Sequence, residues 1–402
     1  MKSFTSTTAL AVVTGTVALT SAAHAQWTVT NLNPAGATAS YAYAAGGGQQ
    51  AGEANVGGVN RASLWSGSAA SWVDLNPAGV TESAALAVSG GQQAGVALRG
   101  GVYRASLWSG TAASWVDLNP AGSTHSVANA VSGGQQAGLA FVGGVTRASL
   151  WSGSAASWVD LHPAGAAWSE AYAAGGGQQA GYAQVSGVTH ASLWSGSAAS
   201  WVDLHPPGAT ESIANAVSGG QQAGYVVVGV VRRASLWSGT AASWLDLHPA
   251  GATQSEVRAI SGGLQAGHAR VGGVRRASLW SGTAASWVDL HSFLPAGFAR
   301  SEARGISSDG VNTYIAGYGF NSVTGRTEAL LWVYGAPGGC PGTGSGACSR
   351  ADWNEDGVVD FNDFLAFLND FNAQDPCADL NGDGVVDFND FLEFLNIYNV
   401  GC

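Results

Sequence analysis

The sequence predicts an all-β seven-bladed β-propeller whose N-terminal strand closes its last blade, followed by a small α-helical domain with two calcium loops. Three observations lead to this fold class. A 43-residue repeat fills most of the chain, the two ends of the repeat array hold complementary partial units, and two 12-residue acidic loops lie near the C-terminus. With 46% hydrophobic residues and 16 Trp, the 59 glycines indicate turns between strands rather than a disordered chain.

Residues 1–25 have the pattern of a secretory signal peptide. Lys2 precedes the apolar stretch ALAVVTGTVAL, and the small-residue pattern Ala23-His24-Ala25 follows it. The apolar run is too short to span a bilayer, and no second run follows. The sequence therefore predicts a secreted chain, extracellular or at the cell surface, that begins at Gln26 and has no transmembrane segment. A buried N-terminal strand is the alternative.

Residues 26–334 repeat one phrase, RASLWSGSAASWVDLNPAG in its copy at residues 61–79. Each unit contains four segments of strand length, separated by Gly-rich turns, which indicates a four-stranded antiparallel blade. A degenerate seventh copy ends at Trp332. The tryptophan of ASLW returns with the fixed period at Trp65, Trp108, Trp151, Trp194, Trp237 and Trp280.

The ends of the array predict how the ring closes. Seven units have the first three strands, but only six are followed by a copy of the fourth, SW-V/L-DL. The missing copy is WTVTNLNPAG, residues 27–36, at the other end of the array. This strand can complete the last blade and remove its exposed edge. An open β-solenoid is the alternative.

The combination GQQAG, ASLW and DL resembles the HAF family of bacterial extracellular repeats over about residues 27–334. The resemblance implies secretion and a repeat β-fold, and it assigns no reaction. For Trp65, Trp72 and their equivalents we predict a place in the core between blades. Stacking platforms for sugar rings are the alternative, and Trp168, found in one repeat only, is a candidate for an exposed contact.

No catalytic or cofactor-binding residue is predicted, and we expect the chain not to be an enzyme. His162, His205, His248 and His291 recur at one position, where earlier repeats have Asn33, Asn76 and Asn119. Blades packed about 10 Å apart cannot bring such residues to one ion, so we predict local hydrogen bonds instead. The six copies of Asp74 likewise suit turn capping. Catalysis would have to involve residues that break the symmetry, namely Trp168, Arg232-Arg233, Arg275-Arg276 and the segment 300–326.

The net negative charge is confined to one part of the chain. Of the net −11, the whole excess lies in residues 349–402, where twelve acids face Arg350 alone. Residues 1–348 are neutral, so we expect no basic face and no binding of nucleic acid. After a Gly/Pro-rich linker, residues 335–347, this acidic domain occupies residues 348–402.

The acid belongs to two copies of a calcium loop, DWNEDGVVDFND and DLNGDGVVDFND. Ca²⁺ prefers six to eight oxygen ligands, which loop positions 1, 3, 5, 7, 9 and 12 supply. The sequence thus predicts two Ca²⁺ ions and no other cofactor. In the first loop the ligands are Asp352, Asn354, Asp356, Val358, Asp360 and Asp363. In the second they are Asp379, Asn381, Asp383, Val385, Asp387 and Asp390.

A loop followed by one helix, present twice, resembles the dockerin module, an EF-hand-like fold. The features that carry the resemblance are D-x-N-x-D-G-V-V-D-F-N-D, the repeated F-L-x-F-L-N and the closing Gly401-Cys402, as in "GC-type" dockerin-like domains. The resemblance implies near-twofold packing and a cohesin-like or other surface receptor as partner. It also implies the disulfides Cys348–Cys402 and Cys340–Cys377, out of three connectivities that four cysteines allow.

Together these features lead us to expect a secreted, non-catalytic binding or scaffold protein, attached to an extracellular assembly through the dockerin-like module. A carbohydrate or a protein would be the ligand of the propeller. A polysaccharide-active enzyme, a glycoside hydrolase or lyase on a dockerin tether, is the alternative.

Overall fold

The computed structural model describes residues 26–335, 340–342, 346–372, 374–381 and 385–402. Gln26–Gly335 form one compact unit, and the chain from Ala336 onward belongs to a second. The predicted signal peptide, parts of the predicted linker and the predicted ligand Asp383 lie outside the described residues.

The first unit is the predicted seven-bladed β-propeller, built from seven four-stranded antiparallel sheets. Blade 1 contains β2 (Ala37–Gly46), β3 (Gln49–Val56), β4 (Val59–Trp65) and β5 (Val73–Asp74). Blade 2 contains β6 (Glu82–Ser89), β7 (Gln92–Arg99), β8 (Val102–Trp108) and β9 (Val116–Asp117). Blade 3 contains β10 (Ser123–Ser132), β11 (Gln135–Val142), β12 (Val145–Trp151) and β13 (Val159–Asp160).

The remaining blades repeat this order. Blade 4 contains β14 (Ser169–Gly175), β15 (Gln178–Val185), β16 (Val188–Trp194) and β17 (Val202–Asp203). Blade 5 contains β18 (Glu211–Ser218), β19 (Gln221–Val228), β20 (Val231–Trp237) and β21 (Leu245–Asp246). Blade 6 contains β22 (Ala252–Ser261), β23 (Leu264–Val271), β24 (Val274–Trp280) and β25 (Val288–Asp289). Blade 7 contains β26 (Phe298–Ser308), β27 (Thr313–Asn321), β28 (Arg326–Gly335) and, from the N-terminus, β1 (Gln26–Asn31).

Closure of the ring by the N-terminal strand is confirmed. β1 pairs antiparallel with β28, from Gln26 opposite Gly335 to Asn31 opposite Leu330. The side-chain amide of Asn31 also donates to Glu328 Oε2 at 2.8 Å. The last blade therefore gains its fourth strand from the start of the chain, and β28 has no free edge.

The tryptophans of ASLW form the predicted core between blades. Trp65 and its six equivalents are fully buried. Trp65 of blade 1 packs with Leu32 and Leu331 of the closing blade, which makes the contact an interblade one. Trp72 is only partly buried, because the fourth strand is just two residues long and Trp72 precedes it, after the 3₁₀ turn Ala69–Ser71. The indole Nε1 of Trp72 donates to Ser63 Oγ at 2.9 Å.

The second unit contains two helices, α1 (Phe361–Asn372) and α2 (Phe388–Val400). Phe367 of α1 and Phe394 of α2 stack with ring centroids 3.9 Å apart. Both predicted disulfides, Cys340–Cys377 and Cys348–Cys402, are present, which confirms that pairing. Within the described residues, no helix has the length and apolar character that crossing a membrane requires.

Candidate functional site

The polar residues that recur in the complete repeats, with His190 replacing the arginine in one of them, form a hydrogen-bond network that holds adjacent blades together. In blade 1, Arg61 Nη1 donates to Asp74 Oδ2 at 2.7 Å, and Asp74 Oδ1 accepts from the backbone of Asn76. Asn76 Oδ1 accepts from the hydroxyl of Ser83 in blade 2, which itself accepts from the backbone N–H of Ala62. The predicted capping role of Asp74 is therefore observed, and the network is structural.

The repeated histidines occupy the asparagine position of this network. His162 Nδ1 lies 2.8 Å from Ser169 Oγ, and its Nε2 lies 3.1 Å from the carbonyl oxygen of Ala166. Because the carbonyl can only accept, Nε2 carries the proton and Nδ1 accepts, as the amide nitrogen and oxygen of Asn76 do. Burial lowers the pKa of His162, which keeps the ring neutral. Local hydrogen bonding is thus what these side chains do.

This network contains Ser, His and Asp but not the geometry of a catalytic triad. In a triad, one imidazole nitrogen faces the serine and the other faces the carboxylate. Here Asp160 accepts from the backbone N–H of His162 rather than from its ring. Ser169 is fully buried and already accepts from the backbone of Ala148. A substrate cannot reach this hydroxyl.

One position of the first strands differs between blades and lies where these strands meet around the central axis. A cavity of about 240 Å³ at the axis is lined by one residue from the same position of every first strand. We call these seven residues the channel ring; they are Tyr43, Leu86, Asn129, Tyr172, Asn215, Arg258 and Arg304. A first-strand position with four residue types in seven blades thus converges on one site, while its flanking residues are small in nearly every blade.

The ring is positively charged on the side of blades 6 and 7. Arg304 Nη1 donates to Glu302 Oε1 and Arg258 Nη1 pairs with Glu256 Oε1, both at 2.9 Å. Both glutamates are buried, and each also holds an outer arginine, Arg275 on Glu302 and Arg232 on Glu256, again at 2.9 Å. Four guanidinium groups therefore share two carboxylates.

The protonation states of the neighbouring groups preserve this excess of positive charge. Burial would raise the pKa of Glu302, but the guanidinium groups of Arg304 and Arg258 beside it lower that pKa and keep the carboxylate ionised. Burial lowers the pKa of His268 to about 4, so the imidazole beside Glu302 is neutral near pH 7. Of the Arg258 donors, Nε makes no hydrogen bond within the described residues and lies 3.6 Å from Glu302 Oε1.

The rest of the ring presents neutral polar groups. The amide nitrogens of Asn129 and Asn215 donate to Glu170 Oε1 and Glu256 Oε1, each at 3.0 Å, and to backbone carbonyls. Within the described residues, their side-chain oxygens accept no hydrogen bond. The phenol of Tyr43 donates to Glu53 at 2.9 Å, and burial raises the pKa of that phenol. The channel therefore combines cationic donors with neutral acceptors.

Sequence reasoning found part of this site. Among the symmetry-breaking residues, the segment 300–326 contributes Arg304 to the axis. Arg232 and Arg275 do not line the channel but pair with the glutamates that also hold Arg258 and Arg304. Trp168 is exposed as expected, at 43%. The neutral total of residues 1–348 did not indicate these arginines, because the fold segregates charges that cancel in the sum. The tyrosines, the asparagines and Arg258 were missed. The signal that could have found them is a first-strand position that differs between repeats while its neighbours do not.

The first predicted calcium loop holds its side chains by backbone hydrogen bonds. Buried Asp352 accepts from the N–H groups of Asp356 and Gly357, and buried Asp363 accepts from those of Asn354 and Asp360. In the second loop, Asp390 accepts in the same way from Asn381 and Asp387. Position 12 thus ties positions 3 and 9 together in both loops.

The loop residues fit a calcium ion in donor type and in backbone shape. They are oxygen donors, which Ca²⁺ prefers, and Gly357 takes the sharp turn at φ +87°. In the described residues, the loop carboxylates are not gathered about one point. The one group of three His, Cys, Asp or Glu ligand atoms within 4.8 Å of each other is Cys348, Asp352 and Cys402, whose cysteines form a disulfide. The ligand set therefore stays a prediction.

Comparison with known proteins shows the fold. Solved structures that resemble this chain include the S511A mutant of puromycin hydrolase complexed with PGG, with 13% identity and a TM-score of 0.50, covering 72% of this chain and 53% of that one. They also include the β-propeller domain of the Trilobed protease from Pyrococcus furiosus, with 9% identity and a TM-score of 0.50, covering 74% and 95%. This chain spans about half the length of puromycin hydrolase. No protein-family model and no curated protein matches the sequence.

These likenesses overturn the function expected from the sequence. A secreted, non-catalytic binding or scaffold protein was expected, with a polysaccharide-active enzyme as alternative, but the similar propellers belong to a hydrolase and a protease. The expectation was wrong because near-identical repeats were taken as a lack of functional divergence. The repetition belongs to the interblade network, and the residues of the channel ring, which differ between repeats, come together only in the closed ring.

Proposed function

We propose that this chain takes part in peptide hydrolysis and that the central channel of its propeller receives the peptide. The channel ring is the observation that carries the proposal. A peptide in extended form brings unpaired N–H and C=O groups, which must find partners when they leave water. Asn129 and Asn215 offer acceptors for the N–H groups, and Arg258 and Arg304 offer donors for the carbonyls.

Two further observations support a peptide ligand. The cavity of about 240 Å³ lies just below the range of sites for drug-sized molecules, which suits a short segment of a chain. Similar propellers are found in puromycin hydrolase and in the Trilobed protease. The propeller of the Trilobed protease has an open velcro topology, whereas β1 closes the ring here, so entry along the axis is the route available to a peptide.

Calorimetric titration with the neutral hexapeptide acetyl-AAQQAA-amide tests the proposal. We expect binding to the full chain and a loss of at least ten-fold in affinity in Leu86→Trp, which fills the channel. Val230→Trp, at a turn residue that is 93% exposed, is the matched control and should bind normally. Equal affinity in both variants would show that the peptide does not use the channel. Mass spectrometry of the same samples should find the peptide intact if the chain has no catalytic site of its own.

We also propose that the second unit is a dockerin-like module that binds two Ca²⁺ ions. The paired loops with buried Asp363 and Asp390 at position 12 support this. Bound Ca²⁺ would offset the repulsion among the twelve acids of residues 349–402. Two disulfides in this unit support export of the chain. A cohesin-like receptor remains the proposed partner of the module.

Titration of the chelator-treated chain with Ca²⁺ tests the metal proposal. We expect two sites in the wild type, one in Asp363→Asn and two in Glu393→Gln, a control acid on α2 outside both loops. Helical circular dichroism should rise on addition of Ca²⁺, because binding to deprotonated ligands favours the folded loops. Absence of any binding heat, together with an unchanged spectrum, would refute the proposal.

A further inference from the structure

Three exposed arginines line a groove between blades 6 and 7. Arg270 and Arg275 flank the turn between β23 and β24, and Arg300 lies near the start of β26. Together they line an open cavity of about 470 Å³. We call Arg270, Arg275 and Arg300 the arginine groove.

The groove continues into a second cavity with aromatic walls. This cavity, of about 230 Å³, shares Arg275 and Arg300 with the groove. It adds the aromatic residues Tyr41, Tyr318 and Phe320 and the buried carboxylate of Glu302, which Arg275 neutralises. The guanidinium of Arg300 lies over the ring of Phe320, 4.7 Å from its centroid. Stacking on an aromatic face leaves the edge of a guanidinium free to donate hydrogen bonds. Arg300 is thereby oriented without being neutralised.

The positive charge of the groove is compensated locally at only one of its three arginines. Within the described residues, neither Arg270 nor Arg300 forms an ion pair. The Nε of Arg270 donates to the backbone carbonyl of Gly273 at 3.0 Å. Arg275 does pair with Glu302, but that carboxylate also holds Arg304 of the channel ring.

The symmetry-equivalent site between blades 1 and 2 shows that this charge is not required by the fold. Strand register places Asn55, Asn60 and Glu82 where the arginine groove has Arg270, Arg275 and Arg300. That site has its own cavity of about 230 Å³, lined by Glu53 and Glu82. The same backbone therefore carries a basic site on one side of the axis and an acidic one between blades 1 and 2.

We propose that the arginine groove is a carboxylate-binding subsite that makes the propeller select acidic peptides. Arginine recognises a planar carboxylate through paired N–H donors, and such charge-assisted bonds are stronger than neutral ones. The carboxylate comes from an Asp or Glu side chain or from the C-terminus of the peptide. The acidic site between blades 1 and 2 disfavours the same ligand there, which fixes its orientation. This inference rests on the proposed peptide-binding function.

Three hexapeptides distinguish the sources of the carboxylate. Acetyl-AAEEAA-amide carries it on side chains, acetyl-AAQQAA with a free C-terminus carries it at the end, and acetyl-AAQQAA-amide has none. We expect one of the two acidic peptides to bind the wild-type chain about ten-fold more tightly than the neutral one at low salt. The gain in affinity should shrink as salt is raised from 0.01 to 0.5 M, because Arg270 and Arg300 are exposed and salt screens their charge.

The double variant Arg270→Gln/Arg300→Gln should lose this gain while keeping the affinity for the neutral peptide. The matched control Arg99→Gln should keep the gain, because it removes an exposed arginine outside the groove that also stacks on an aromatic ring, that of Trp115. Equal affinity of all three peptides for the wild type, or an undiminished gain in the double variant, overturns the subsite and leaves the proposed peptide channel intact. Absence of binding by any peptide overturns the channel and the subsite together.

Discussion

Single residues of this chain can be exchanged between repeats when their hydrogen-bonding atoms coincide. Asn76 and His162 both accept from a serine hydroxyl, and both direct a nitrogen at the carbonyl of the turn that precedes the next first strand. The two side chains differ in one property, because only histidine can take up a second proton. Exchanging asparagine and histidine at this position therefore changes the pH dependence of stability more than it changes the structure.

The triple variant His162→Asn/His205→Asn/His291→Asn should resist acid better than the wild type. Burial lowers the pKa of each of these histidines in the folded state, whereas the unfolded value is about 6.5. As the pH falls through 6.5, the unfolded chain binds more protons than the folded one, so stability falls. We expect the decrease in Tm between pH 7.5 and 5.5 to be smaller by roughly 1–3 °C in the variant.

The reverse substitution is the control for this effect. Asn119→His adds a histidine at the same network position of blade 2 and should steepen the decrease. Thermal scans at pH 7.5 and 5.5 measure the decrease in Tm. The same decrease in the wild type, the triple variant and Asn119→His would contradict the account.

Each blade depends on a glycine that allows its second strand to approach its first. The register of the first strand shifts by one residue at a bulge, as between Ala128 and Ala130 in blade 3. Opposite this bulge, a Cβ on Gly138 would lie 1.9 Å from the carbonyl oxygen of Val127. Glycine recurs at this position in all seven blades because the close approach leaves no room for a side chain.

Gly138→Ala should therefore destabilise the propeller by about 1–3 kcal/mol, the usual cost of overpacking, and more if the backbone cannot shift. Chemical denaturation followed by tryptophan fluorescence measures the change. Gly144→Asn is the control, since Gly144 has φ +84° in a turn with open space around it and asparagine tolerates that conformation. A loss in Gly144→Asn as large as in Gly138→Ala would indicate that the close approach is not what matters.

For the whole molecule, the contact between β1 and β28 converts a row of blades into a ring. A variant without residues 26–31 leaves the edge of β28 unpaired, and an open edge recruits other chains. We expect a lower Tm and concentration-dependent association, seen by light scattering after size exclusion. The control variant Thr28→Ala/Thr30→Ala keeps the backbone hydrogen bonds between β1 and β28, so its Tm and its association state should match those of the wild type. An unchanged Tm and an unchanged mass of the truncated variant would mean that closure by β1 contributes neither to stability nor to keeping the chains apart.

Much of the architecture was predictable because the same pattern of strands and turns occurs in each of the seven repeats. Period, turn glycines and the missing fourth strand predicted the blade, the number of blades and the role of residues 27–36. Resemblance to the dockerin module correctly implied the pairing of Cys348 with Cys402. These features depend on local patterns or on counting, which a linear sequence preserves.

The channel ring and the arginine groove were decided by the tertiary structure alone. Tyr43 and Arg304 are 261 residues apart, and they face one cavity because seven blades close around an axis. Charges that cancel over residues 1–348 are separated into basic and acidic sites by the same closure. The sequence by itself determined the scaffold that recurs. The residues that differ between repeats form a site only in the folded ring, since each blade contributes a single side chain to the channel.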